Sequence, residues 1–122
     1  STPQDIALLD ARRGLAMFRQ VEVPVLGIVE NMSYFLCPHC GERSDIFSHG
    51  GAEREAAESN VAFLGAIPLD IAIRDTSDSG RPITATAPDS AHAKAFRAIA
   101  EKVWHAVASG TSARQAPRIV IQ

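Results

Sequence analysis

The chain has 122 residues, 46% of them apolar and 21% charged, with a formal net charge of −2. This is the composition of one ordinary globular domain with a modest core, and it disfavours a phosphate-tracking nucleic-acid surface. No apolar run approaches the ~20 residues needed to span a bilayer, and the polar start Ser1-Thr2-Pro3-Gln4-Asp5 lacks the regions of a signal peptide, so the cytoplasm is the expected compartment.

Thr2-Pro3-Gln4-Asp5 reads as a helix start: Thr2 as the cap, Pro3 at the first helical position, and Asp5 at the positive end of the helix dipole. Ile6, Leu9, Arg13, Met17 and Leu8, Leu15, Phe18 together give a roughly helical apolar stripe, which places a helix over about residues 4–19. There is no initiator Met, and a helix signal comes at once, which suggests a piece of a longer chain. Residues 23–30, Val-Pro-Val-Leu-Gly-Ile-Val-Glu, form a continuous apolar run rich in β-branched side chains, the mark of a buried strand. Residues 31–50 hold polar residues and both cysteines, and end at Gly50-Gly51. They read as a long functional loop. A short helix is expected over 52–59, a second buried strand over 61–67 with Pro68 as its stop, and a helical turn over 70–77. Asp78 to Pro82 reads as a loop. The longest helix is expected over 88–109, with Ala91, Ala95, Phe96, Ile99, Val103, Trp104 and Val107 on one stripe and Gly110 ending it. The tail from residue 111 is expected to be flexible, with a possible edge strand at 119–121.

Strands alternating with helices imply parallel pairing and right-handed crossovers. Two strands are too few for a self-sufficient parallel sheet, which needs both faces covered. The expectation is therefore an α/β fold, a partial parallel sheet with flanking helices, occupying residues 1–110 as the C-terminal part of a larger domain.

The only two cysteines lie in Cys37-Pro38-His39-Cys40-Gly41. That spacing turns both sulfurs toward one point, and such a turn directs backbone N–H groups at the sulfurs, with Gly41 allowing the conformation after the second thiol. Two thiolates are half of a tetrahedral site. Three readings stay open: two copies of the chain share a metal or an iron–sulfur cluster; Cys37 and Cys40 join His39 or His49 in a zinc site within one chain; or the pair is a dithiol–disulfide switch. His39 reads as solvent-facing, His49 as a loop-shaping residue, and His92 and His105 as surface or helix-packing residues of the last helix.

From Thr2 to roughly Trp104 the chain resembles the Mrp/ApbC family of P-loop ATPases that carry iron–sulfur clusters, relatives of MinD and the nitrogenase iron protein. The matching runs are Thr2-Pro3-Gln4-Asp5, Val25-Leu26-Gly27-Ile28-Val29-Glu30-Asn31-Met32-Ser33, Cys37-Pro38-His39-Cys40-Gly41, Phe47, Gly50-Gly51, Leu64-Gly65-Ala66-Ile67-Pro68-Leu69-Asp70 and Ser79-Gly80-Arg81-Pro82-Ile83. The resemblance implies a partial doubly wound parallel sheet with flanking helices, the C-terminal half of a P-loop NTPase fold, together with a nucleotide-driven homodimer and a labile [4Fe–4S] cluster held by Cys37 and Cys40 of two subunits for transfer to apo iron–sulfur proteins. Zinc is the alternative occupant of such thiolates. It further implies an adenine-binding role for Asn31, with Pro68 and Asp70 flanking the base; read alone, Asn31 is a turn residue, Pro68 a strand stop and Asp70 a helix cap. The family's G-x-x-x-x-G-K-[ST] phosphate loop occurs nowhere in this sequence. ATP and Mg²⁺ chemistry is therefore expected only of the longer protein, and this chain alone is expected to be inactive as an ATPase.

Overall fold

The structure, a computed structural model, describes residues 1–110; the expected flexible tail and its edge strand at 119–121 lie outside the described residues. In chain order the elements are α1 (Asp5–Gln20), β1 (Ile28–Glu30), β2 (Phe35–Leu36), β3 (Arg43–Ser44), α2 (Gly51–Glu58), β4 (Phe63–Ala66), α3 (Ile71–Asp78), α4 (Ile83–Thr86) and α5 (Ala91–Ala108).

β1 and β4 pair in parallel, with Ile28 opposite Phe63, Val29 opposite Gly65 and Glu30 opposite Ala66, and the register slips between Ile28 and Val29. The connection between them carries α2, which packs on both strands. This is the βαβ arrangement expected of alternating strands and helices. α5 covers β4, α1 packs on α2, and α4 bridges α3 and α5. The buried apolar side chains come from every layer: Leu8 and Leu15 of α1, Ala52 and Ala56 of α2, Leu64 and Ile67 around β4, Ile83 of α4 and Ala93 of α5. The class is α/β, a small parallel sheet with flanking helices, as expected.

The boundaries differ from expectation where tertiary contacts decide them. Only residues 28–30 of the 23–30 run, and 63–66 of the 61–67 run, find strand partners. Gln4, not Thr2, is the N-cap of α1; the Thr2 hydroxyl instead donates to Gln4 Oε1 at 2.9 Å, and Pro3 lies buried before the cap. Only part of the expected apolar stripe of α1 is buried. Leu8 and Leu15 are buried, while Ile6, Leu9 and Met17 face outward and Phe18 is exposed. On α5, Trp104 and Val107 fall off the inward stripe; Trp104 is 71% exposed. The expected turn at 70–77 is the helix α3, and the short helix α4 occupies a stretch between the expected loop and the last helix for which the sequence made no assignment. Gly110 does end α5, its N–H donating to Val107 O at 3.2 Å.

The long loop is where expectation departs most. It contains an antiparallel hairpin, Phe35 opposite Ser44 and Leu36 opposite Arg43. The cysteine pair forms the hairpin's tip. On the β1 edge away from β4, the Ser1 amino group donates to Val29 O at 3.0 Å and Asn31 N–H donates to Ser1 O at 2.7 Å.

Candidate functional site

The loops leaving the C-terminal ends of β1 and β4 lie side by side, because the two strands are parallel neighbours. They are joined by Ser33 N–H to Ile67 O at 2.9 Å and Leu69 N–H to Tyr34 O at 2.8 Å. All five sequence-derived site residues sit on these loops: Asn31, Cys37 and Cys40 after β1, Pro68 and Asp70 after β4. The C-terminal edge of a parallel sheet is where such folds bind ligands.

The cysteine turn is closed by its own backbone. Cys37 N–H donates to Glu42 O at 2.9 Å, and Gly41 N–H donates to Cys37 O at 2.8 Å. Gly41 takes φ 73°, a left-handed conformation that a side chain disfavours. The Cys40 amide, then the His39 amide, then the Cys40 thiol donate to the Cys37 sulfur and hold its pKa below the ordinary thiol range. Cys37 is half-buried and Cys40 exposed, and both are free thiols. Among the described residues, no group of three or more His, Cys, Asp or Glu side chains is placed to hold a metal. His49 Nδ1 lies 2.8 Å from Arg43 Nη2, so its ring is engaged away from the thiols. His39 is exposed, as expected. The donor set of one chain is therefore two soft thiols presented outward, which suits a soft metal or an iron–sulfur cluster whose other ligands come from elsewhere.

Asn31 is exposed, and its Oδ1 accepts the Met32 N–H at 2.9 Å, leaving its amide nitrogen outward as a donor. Pro68 is buried. Asp70 is the N-cap of α3: Oδ1 accepts Ala72 N–H at 2.7 Å, and Oδ2 lies 3.2 Å from His92 Nε2 on α5. The cap reading of Asp70 is thus satisfied in full, and His92 is a packing residue on the inner side of α5. Between the hairpin and α3 runs an open groove, with one compartment of about 250 Å³ lined by Phe35, Ile46, Leu69 and Ile71 and by the charged Asp70 and Arg74, and a neighbouring one reaching Leu36 and Pro38 at the cysteine turn.

Sequence reasoning passed over Glu30, naming it only as a strand end. Its side chain is 1% exposed and lies among hydrogen-bond donors. Ser33 Oγ–H donates to Oε1 at 2.5 Å, Ala52 N–H to Oε2 at 2.8 Å, and Gly50 N–H more weakly to Oε1 at 3.4 Å. The available signal was a carboxylate closing an otherwise apolar, buried run, since such a group needs partners.

Residues 1–104 match the family model described as ParA, NUBPL iron-transfer P-loop NTPase. The chain is 54% identical over 103 residues to the iron–sulfur cluster transfer protein NUBPL of Dictyostelium discoideum, covering 84% of this chain and 32% of that protein. It is 53% identical over 104 residues to an iron–sulfur cluster carrier protein of Synechocystis sp., covering 84% of this chain and 30% of that one. It is also similar to a solved nucleotide-binding protein from Archaeoglobus fulgidus in complex with ADP, at 41% identity and a TM-score of 0.57, over 66% of this chain and 33% of the other. The chain spans about a third of the length of these relatives.

Proposed function

We propose a function from the premise that the chain belongs to the family of ParA-type, NUBPL iron-transfer P-loop NTPases: it is the cysteine-bearing segment of an iron–sulfur cluster carrier. The observation that supports this most is the exposed Cys37–Cys40 turn, with amides directed at a sulfur and no third ligand placed beside it among the described residues. The cargo is a [4Fe–4S] cluster, and two copies of the chain each supply Cys37 and Cys40 to complete its thiolate shell. Because the thiols stand at the tip of a hairpin, an apo iron–sulfur protein can reach the cluster and exchange its own thiolates for them. Zinc in the same thiols is the competing occupant. The setting is the cytoplasm, in keeping with free thiols in a reducing compartment. Among the described residues no helix is long and apolar enough to cross a membrane.

Nucleotide contact is a second part of the proposal. Asn31 offers its amide to an adenine edge, with the Pro68–Asp70 loop beside it. The ADP complex of the Archaeoglobus relative supports this, and so does the exposure of Asn31. Hydrolysis, with Mg²⁺, belongs to a longer protein that carries a phosphate loop.

Anaerobic reconstitution with iron and sulfide tests the reading. The expected result is a visible cluster absorbance with about two chains per cluster, lost in Cys37→Ser and in Cys40→Ser. Tight zinc at about one per chain with no cluster formed would show a zinc module instead. Reversible disulfide formation with thiol-exchange turnover and no cluster would show a redox protein.

A further inference from the structure

The cysteine turn closes itself locally, but nothing within residues 37–42 says where the turn sits relative to the rest of the protein. That placement depends on how the two legs of the hairpin return to the sheet. The first leg leaves β1 through Asn31 to Tyr34. The second returns through His49 and Gly50 into α2. A single buried side chain touches both: the Glu30 carboxylate accepts from Ser33 Oγ–H on the first leg and from Ala52 N–H and Gly50 N–H at the end of the second. Its own backbone is fixed in the sheet, Glu30 O accepting Ile67 N–H at 2.8 Å.

We propose that Glu30 is a positioning residue for the cysteine pair: its buried carboxylate ties both legs of the Phe35–Ser44 hairpin to the end of β1 and so fixes where Cys37 and Cys40 are presented. This rests on the reading of those cysteines as cluster ligands. Three features carry it. The carboxylate is acceptor-only, and the three groups around it are all donors, so the match is chemical as well as steric. Ser33 is also fully buried, so water cannot replace either partner cheaply. The bonds to Gly50 and Ala52 span 20 and 22 residues, so this one side chain closes the whole excursion that carries the thiols. A cluster shared between copies needs both thiol pairs held at a fixed place, and a hairpin free at its base would not hold them.

Glu30→Met keeps the length of the side chain and removes the acceptors; Glu30→Gln keeps one carbonyl acceptor for Ala52 N–H and an amide that can donate to Ser33 Oγ. Ser90→Ala, which removes the α5 cap and touches none of the Glu30 hydrogen bonds, is the control for general destabilisation. The first readout is amide hydrogen exchange of the metal-free chain. Glu30→Met is expected to speed exchange at Tyr34–Leu36, Gly50 and Ala52 by about tenfold or more, the loss of one charge-assisted hydrogen bond, while the Cys37 and Gly41 amides of the self-closed turn keep their protection. Glu30→Gln should stay within about threefold of the parent. Ser90→Ala should leave these amides unmoved.

The second readout is cluster loss to a chelator. Glu30→Met should shorten the cluster lifetime by a similar factor, about tenfold, while the pH profile of Cys37 alkylation stays unchanged because the turn is closed by its own amides. Unchanged exchange in folded Glu30→Met, or equal acceleration by Ser90→Ala, overturns the proposal. If Glu30→Met does not fold, Ser33→Ala replaces it. Faster exchange along Tyr34–Leu36 than in the parent then supports the proposal, and an unchanged rate overturns it. If the parent chain takes up no cluster, the cluster reading fails by itself, and the exchange data still decide the role of Glu30.

Discussion

The closing leg of the cysteine loop makes a sharp prediction at Gly51, the first residue of α2. A Cβ built there would lie 2.6 Å from Pro3 O and 2.7 Å from Leu8 Cδ1, both far inside normal contact. Neither neighbour can retreat easily. Pro3 is fully buried, Ser1 two residues before it is hydrogen-bonded to β1, and Leu8 is 5% exposed in the core. Gly51→Ala therefore forces α1 and α2 apart by several tenths of an ångström, an overpacking that costs about 2 kcal/mol. For a domain of this size that lowers the thermal midpoint by roughly 8 °C or the urea midpoint by about 1 M. The comparison is Gly14→Ala in the middle of α1, where a Cβ meets nothing within 4 Å. There the same substitution gains helix propensity and should stabilise by about 0.5–1 kcal/mol. Urea unfolding followed by circular dichroism measures both. The packing of α1 on α2 is refuted if Gly51→Ala is as stable as the parent, or if the two alanine variants shift the same way.

The Cys37 thiol is held below its ordinary pKa, so iodoacetamide should alkylate it with a midpoint at lower pH in the folded chain than in the urea-unfolded chain; equal midpoints would remove the amide-directed turn. The sign for stability follows: the folded state holds the proton less tightly, so the contribution is present above the ordinary thiol range and is lost as pH falls through the folded-state value. Replacing Cys40 by Ser changes the group that donates to Cys37 but keeps the two amides, so the Cys37 midpoint should move only part of the way back toward the unfolded value. At Asp70, Asn keeps the cap on α3 while Ala removes it, so Asp70→Ala should cost about 1 kcal/mol and Asp70→Asn less; equal losses in thermal melts would assign the effect to the His92 contact instead. Cys37→Ser and Cys40→Ser, folded and as stable as the parent, should each take up no cluster in the reconstitution assay.

How far the sequence could be read depends on how local each cause is. The cysteine turn was legible because its geometry is set inside six residues: the spacing of two thiols, a glycine that accepts the left-handed conformation, and backbone amides that face the sulfur. The two parallel strands were legible as β-branched apolar runs, though only the residues that find partners became strand. The stripes of α1 and α5 were misread because apolar side chains occur on more than one face of each helix, and periodicity alone does not say which face meets the sheet. The hairpin was missed for a different reason. Its strands are two residues each, and β3 consists of Arg43 and Ser44, so no alternation is available to detect. What holds those short strands in place is not in their own sequence. It is supplied by Glu30, through donors 20 and 22 residues further along the chain, and by the backbone bonds of Ser33 and Tyr34 to the loop after β4. The thiol chemistry of this segment is thus written locally and its placement non-locally. A variant of Glu30 and a variant of Gly41 should therefore fail differently: the first should move an intact turn, and the second should disturb the turn while the base of the hairpin stays tied.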